Sequence, residues 1–194
     1  MDTRSEQRDA TRRALLAAAR ERFAADGYAA VGLLEIVGAA GVTKGALYHQ
    51  FASKADLFRA VLEDVQAEVA DAVVTAAAAR RTGWTQLLAG CEAFLTASTA
   101  PGIQRIMVVD GPAVLGWAAW RALDEAHSAR HLRQALQALI DDGTFDKQPV
   151  EPLARLLSGA MNETALWLAG TGGDERDRRA AICALERLLR GLKR

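Results

Sequence analysis

The run LLEIVGAAGVTKGALYHQFASK, residues 33–54, leaves the chain little freedom in how it folds. Leu33, Ile36, Val37 and Ala40 recur at helical spacing and give one apolar face. Gly41 stands just past the last periodic residue, where a helix ends in a left-handed turn that glycine adopts without a Cβ penalty. Val42 is then free to bury, and Thr43 is a good N-cap for a second helix. On that helix Leu47 and Phe51 are four apart and face inward, which leaves Lys44, Gly45, Tyr48 and His49 outward. Ser53 opens a third helix, with Asp56 three residues on in a capping-box arrangement. A short second helix that follows a glycine turn and presents polar and aromatic groups is helix-turn-helix grammar.

Around this run, Phe23, Gly27, Tyr28, Ile36, Ala39, Ala40, Gly41, Val42, Gly45, Leu47, Tyr48, Phe51, Lys54 and Leu57 stand in a linked pattern. Through them, residues from Thr11 to about Glu63 resemble the DNA-binding domain of the tetracycline-repressor (TetR) family. The chain departs from that pattern on the first helix of the motif. Val31-Gly32 stands where Thr or Ser usually caps it, Leu34 is apolar where a polar group often meets a phosphate, and Gly38 costs about 1 kcal/mol relative to Ala.

Phosphate contacts fix register on DNA and base contacts specify sequence. Thr43 can offer its hydroxyl and the neighbouring amides to a phosphate, and Lys44 is the candidate for a guanine edge in the major groove. Gly45, lacking a side chain, lets the helix approach the bases, while Tyr48, His49 and Gln50 can bond phosphates or stack near the backbone. Lys54 matches the family position that grips a phosphate, as the resemblance implies.

Charge decides what kind of binder this can be. Formal net charge is zero and the pI is about 6.8, which excludes a strongly basic nucleic-acid coat protein. Basic and acidic side chains also nearly cancel within the first third, so DNA affinity must come from where charges sit. The cysteines are Cys91 and Cys183, the first ten residues are charged without an apolar core, and no apolar run approaches membrane-spanning length. A cytoplasmic protein with reduced thiols is expected.

In chain order, residues 11–25 form a helix with Leu15, Leu16, Ala19 and Phe23 inward, ended by Asp26-Gly27. The residues before it, with Arg4 and Arg8, read as a flexible arm. From Ser53 a long helix reaches about Ala79, its apolar face made by Leu57, Phe58, Val61, Leu62, Val65 and Val69. Trp84 to Thr96 is helical again. Ile103–Val109 has the composition of a buried strand but no partner strand. Val114–Ala122 and Leu123–Ile140 are helical, 141–150 is a loop, and two apolar helices close the chain, the first from Pro152 and the second from an Asp174 cap, with Gly170–Gly173 between them. The expected fold is all-α, with a helix-turn-helix domain over 1–56 and a helical ligand-binding and dimerisation domain over 57–194.

The last two helices are broadly apolar. Leu153, Leu156, Leu157, Met161, Thr164, Trp167, Ile182, Leu185, Leu188 and Leu189 are the candidate dimer surface, and the resemblance implies a four-helix bundle between two subunits. Central-helix residues Trp84, Phe94, Met107, Trp117, Trp120 and Leu136 are the candidate walls of an effector pocket. Arg105, Asn162 and Glu163 are candidates to orient a polar ligand group. The run DGPAVLGWAAWRALDE also resembles a stretch of some TetR-like proteins.

Three functions remain open at this point. The first is a homodimeric repressor on a near-palindromic double-stranded operator, released by a small-molecule effector through the long helix from Ser53. The second is an interaction protein whose helix-turn-helix has lost DNA affinity, motivated by the nearly neutral first third. The third is a helical enzyme using Asp124, His127 and His131, which share one helical face at metal-permitting spacing. With no fourth ligand, no GxSxG elbow, P-loop or HExxH, no cofactor, metal or catalysis is expected.

Overall fold

A computed structural model describes residues 3–172 and 174–193, with the side chains of Thr3 and Arg4 left aside. The chain is all-α: α1 (Thr3–Asp26), α2 (Leu33–Ala39), α3 (Lys44–Gln50), α4 (Lys54–Ala78), α5 (Gly83–Ser98), a π-helical turn (Arg105–Asp110), α6 (Gly111–Leu115), α7 (Trp117–Ala126), α8 (Ser128–Asp141), α9 (Val150–Gly170) and α10 (Glu175–Arg190). Among the described residues the sole β-type pairing is an isolated bridge between Phe145 and Lys193.

Three expectations about the path are corrected. The region before Thr11 is not a free arm, because α1 begins at Thr3 and the Arg8 carbonyl accepts a 3.2 Å hydrogen bond from Gln50 Nε2 on α3. The Arg4 side chain, expected in that arm, lies outside the described part of the chain, as does Gly173. The Ile103–Val109 segment is not a strand. Its apolar run winds into the π-helical turn, and Trp120 Nε1 donates to the Met107 carbonyl there at 2.8 Å. The break between α7 and α8 falls at His127, not at Ala122, because Leu123 and the buried Asp124 continue the inward face of α7.

One apolar core runs from Leu15 on α1 to Leu189 on α10. Helix α4 joins the two ends of the molecule. Phe58 packs on Phe23 and Tyr28 at its start with Leu57 buried beside it, and Val65 and Val69 bury further along. Sealing these side chains from water contributes about 1.5–3 kcal/mol each. The start of α4 is fixed in addition by its cap. Ser53 Oγ accepts from Asp56 N–H at 3.1 Å, and Asp56 Oδ2 reaches back to Ala52 N–H at 3.1 Å.

Candidate nucleic-acid interface

The α2–α3 corner is built by its backbone. Gly41 sits at φ +64°, and the Val42 N–H bonds back to the Val37 carbonyl at 3.2 Å. That pairing closes α2 and turns the chain toward Thr43. Thr43 Oγ1 then accepts from Ala46 N–H at 3.2 Å. Fully buried Leu47 and nearly buried Phe51 press α3 onto α1, with the Arg12 guanidinium 4.7 Å above the Phe51 ring.

The opposite side of α3 faces solvent. Lys44, Gly45, Tyr48 and His49 are exposed, Tyr48 by 51%. A Cβ added at Gly45 would come no closer to its surroundings than 3.9 Å, to Thr43 Oγ1, so the surface there is open. Lys44 Nζ lies 5.9 Å from the Tyr48 ring centre, at the limit of a cation–π contact. The remaining three expected DNA residues have internal partners. Gln50 is spent on the Arg8 carbonyl, and Lys54 Nζ lies 4.3 Å over the Tyr28 ring. Thr43 likewise spends its hydroxyl on the α3 cap. At the start of α2, Gly32 provides no side-chain cap, and Leu34 is 69% exposed.

The helix-turn-helix is tied to the rest of the protein through the π-helical turn. Arg105 Nη1 donates to the Ala25 carbonyl at 2.7 Å, and Asp110 Oδ2 accepts from Tyr28 N–H at 2.8 Å. Between them Gly27 adopts φ +83°, and a Cβ there would meet Arg105 Nε at 2.8 Å. Both the conformation and the approach of Arg105 therefore require glycine. Arg105, expected to orient a ligand, instead grips α1.

A cavity of about 230 Å³ opens between α4, α5, α8 and α9. Val73, Leu87, Phe94, Leu132, Ala135 and Met161 form much of its wall, and Asp124, Ser128, His131 and Ser158 bring polar groups. Of the expected pocket residues Phe94 is on this wall. Trp84 packs instead against Phe145 at 6.1 Å beneath Lys193, Met107 and Leu136 are in the core, and Trp120 holds the π-helical turn. Trp117 is 63% exposed, Glu163 is exposed, and Asn162 sits behind the wall, bonded to Asp124.

Asp124 anchors the polar end. Its Oδ2 accepts from Arg121 Nη1 at 2.6 Å, Asn162 Nδ2 at 3.2 Å and Ser158 Oγ at 3.3 Å. Burial pushes its carboxyl above the ordinary range, while Arg121, Asn162 and Ser158 pull it back. His131 is pushed down, first by burial and then by Arg130, against an opposing pull from Asp71. Burial raises the Cys91 thiol to about 12, so it stays protonated. Among the described residues no group of three His, Cys, Asp or Glu side chains could hold a metal ion.

The sequence signal for this network is Asp124 itself, at helical spacing with Trp120 and Leu123, so that a carboxylate shares the inward stripe. The tie between Arg105, Asp110 and α1 has no comparable local signal, since it spans some eighty residues of chain.

The expected dimer residues divide. Leu153, Leu157, Met161, Leu185 and Leu189 are buried in this chain's own core, and Thr164 and Ile182 are partly covered. Leu156, Trp167 and Leu188 point outward, exposed by 73%, 46% and 64%, with Leu166 beside them. No helix among the described residues is long and apolar enough to cross a membrane.

Comparison with known proteins matches these two parts separately. Residues 15–61 match the family described as bacterial regulatory proteins, tetR family, and residues 84–192 match the tetracyclin repressor-like C-terminal domain. A TetR-family transcriptional regulator from Pectobacterium atrosepticum superimposes with a TM-score of 0.82 at 33% identity, covering 97% of this chain and 96% of that one. The TetC protein of transposon Tn10 from Escherichia coli is 27% identical over 169 residues, 86% of this chain and 85% of its own length. The HTH-type transcriptional activator FasR of Mycolicibacterium smegmatis is 50% identical over 56 residues, 29% of this chain and 26% of its own. With an outward recognition helix at one end and a matching helical domain over the remainder, the chain belongs to the TetR family of DNA-binding transcriptional regulators and is not an enzyme.

Proposed function

We propose that this regulator is a homodimeric repressor that leaves a near-palindromic operator when a small molecule enters the α4–α5–α8–α9 cavity. The observation that carries the reading is the exposed face of α3, where Lys44, Gly45, Tyr48 and His49 stand clear of the core with open space above Gly45. Two such helices about 34 Å apart read successive major grooves. The outward Leu156, Trp167 and Leu188 supply the apolar anchors of a two-fold interface, and the protein acts in the cytoplasm where its operator lies.

Coupling runs by two routes. Helix α4 carries Val73 and Val74 on the cavity wall and Lys54 at the DNA end. The π-helical turn, held from inside by Trp120, grips Ala25 and Tyr28. A ligand that favours one arrangement of these elements changes operator affinity by its differential binding alone, typically about 1–3 kcal/mol or 5- to 150-fold. The likeness to FasR, an activator, is confined to the DNA-binding part, so it bears on DNA contact and not on the sign of regulation.

The test is fluorescence anisotropy on DNA from upstream of the protein's own gene, against scrambled DNA, with a Lys44→Ala/Tyr48→Ala control. Tight, salt-sensitive binding that the control loses supports the reading. Equal affinity for scrambled DNA and for the control on every upstream fragment contradicts it.

A further inference from the structure

The polar end of the cavity carries information about what it takes. Ser128 is 7% exposed and its hydroxyl oxygen has no hydrogen-bond partner, although it sits on the cavity wall. A buried hydroxyl left unpaired is costly, and it marks a place where a partner from outside the chain belongs. On the same cavity wall Asp124 is 1% exposed, and its three hydrogen bonds all converge on Oδ2, leaving Oδ1 outside that set. The other polar wall residues each hold a partner within the chain, Ser158 between Arg121 and Asp124. Gln86 Nε2 donates to the Arg80 carbonyl, and His131 Nε2 accepts from Arg130 Nε.

Charge narrows the class further. Among the described wall residues Asp124 is the one acidic side chain, and Arg121 pairs with it at 2.6 Å. A carboxylate ligand would face the Asp124 carboxylate across a wall of apolar side chains. A cationic ligand would add a second positive charge to a pair already neutral. Most of the rest of the wall is apolar, including Val73, Leu87, Phe94, Leu132, Ala135 and Met161, and it asks for hydrocarbon. Apolar cavities of about 150 Å³ hold benzene, so 230 Å³ suits a somewhat larger body.

We propose that the cavity binds a small uncharged alcohol or phenol with an apolar body, its hydroxyl donating to the Asp124 carboxylate and accepting from the Ser128 hydroxyl. One group that both donates and accepts satisfies both residues, which neither an ether nor a ketone does. The assignment rests on the cavity being the effector site.

The test is calorimetric titration of the full chain, without DNA, with phenol, naphthol and octanol, each set against its methyl ether and the matching carboxylate. At least one hydroxyl compound binds, its ether is weaker by about 10- to 100-fold, as loss of a hydrogen bond to a charged group predicts, and its carboxylate does not bind. Ser128→Ala weakens the hydroxyl compound about tenfold and leaves the melting temperature the same or higher, since it removes an unpaired group. Ala135→Phe, which fills the cavity, abolishes binding while circular dichroism shows the fold retained. The proposal is overturned if no hydroxyl compound binds, if ether or carboxylate binds as tightly, or if Ser128→Ala binds unchanged. A second titration on operator DNA separates the two readings. Hydroxyl binding without DNA release keeps the ligand class and removes its role as effector, whereas intact DNA binding without any hydroxyl binding removes the ligand class alone.

Discussion

The Arg105 guanidinium donates a 2.7 Å hydrogen bond to the Ala25 carbonyl, one of the orphan acceptors at the end of α1. Five residues on, Asp110 takes the Tyr28 N–H. One π-helical turn therefore holds both sides of Gly27. Arg105→Ala is expected to cost about 1 kcal/mol of stability, because the exposed carbonyl can turn to water. Its larger effect is on coupling: operator affinity without ligand stays within about threefold, while the ligand-induced loss of affinity shrinks. Gly27→Ala does more, since it strains a φ of +83° and displaces Arg105. Thermal melting and DNA titrations with and without ligand distinguish the two.

Lys44 and Lys54 are both cations of the DNA-binding part, but their surroundings differ. Lys44 is exposed with only a 5.9 Å approach to Tyr48, and Lys54 is held 4.3 Å over Tyr28. A free lysine can follow a base edge, and a tethered one offers a fixed charge. Lys44→Ala should relax base preference at one position per half-site by about 1–3 kcal/mol. Lys54→Ala should weaken all sequences alike and lower the salt slope by about one per subunit. Equal effects on all sequences from both variants would reject the division.

Gln66 is 1% exposed on α4, and neither side-chain atom has a partner. Replacing it by Met keeps the length and removes two desolvated polar atoms. Gln66→Met is expected to raise stability by about 1–3 kcal/mol in denaturant titrations. A loss of stability would mean that Gln66 bonds an internal water.

The elements that could be read from sequence are those whose cause is local. Gly41, Thr43 and Ser53 announce their turns and caps within four residues, and Leu47 and Phe51 fix the orientation of α3 by spacing alone. The start of α1 has no local signal because its early residues are polar, and the side-chain contact made to it at Arg8 comes from Gln50, more than forty positions away. The cavity was misplaced for a related reason. Trp84, Trp120 and Met107 look like pocket walls by composition, yet a large apolar side chain fills space as readily as it lines it. The residues that leave space here are small ones, Ala77, Gly90, Ala129 and Ala135, which carry no periodic signature.

His131 gives the protein an acid-side sensitivity. Its folded pKa is depressed below the ordinary histidine value of 6.5, first by burial and then by Arg130 and His127, against a pull from Asp71. A depressed pKa means the unfolded state binds the proton better, so the stability His131 contributes is present above 6.5 and is lost as pH falls through its folded value. Relative to His131→Gln, the wild type should therefore lose stability on acidification below about pH 6.5. Parallel pH profiles of the two proteins would contradict this.

Leu156, Trp167 and Leu188 place three large side chains on the outer face of α9 and α10, with exposures from 46% to 73%. Their neighbours Leu153, Leu157, Leu185 and Leu189 turn inward and hold the same helices to the core. The two sets separate association from folding. Trp167→Glu on the outer face should convert a dimer to a monomer in light scattering, because it puts an unpaired charge at the centre of the apolar contact, at a cost of several kcal/mol. Secondary structure should be unchanged, and operator affinity should fall steeply, since one recognition helix cannot span two half-sites. Leu157→Ala on the inner face should instead lower the melting temperature, with a cavity cost of about 2–5 kcal/mol. If Trp167→Glu remains dimeric, the outward face of α9 is not the surface through which two copies meet.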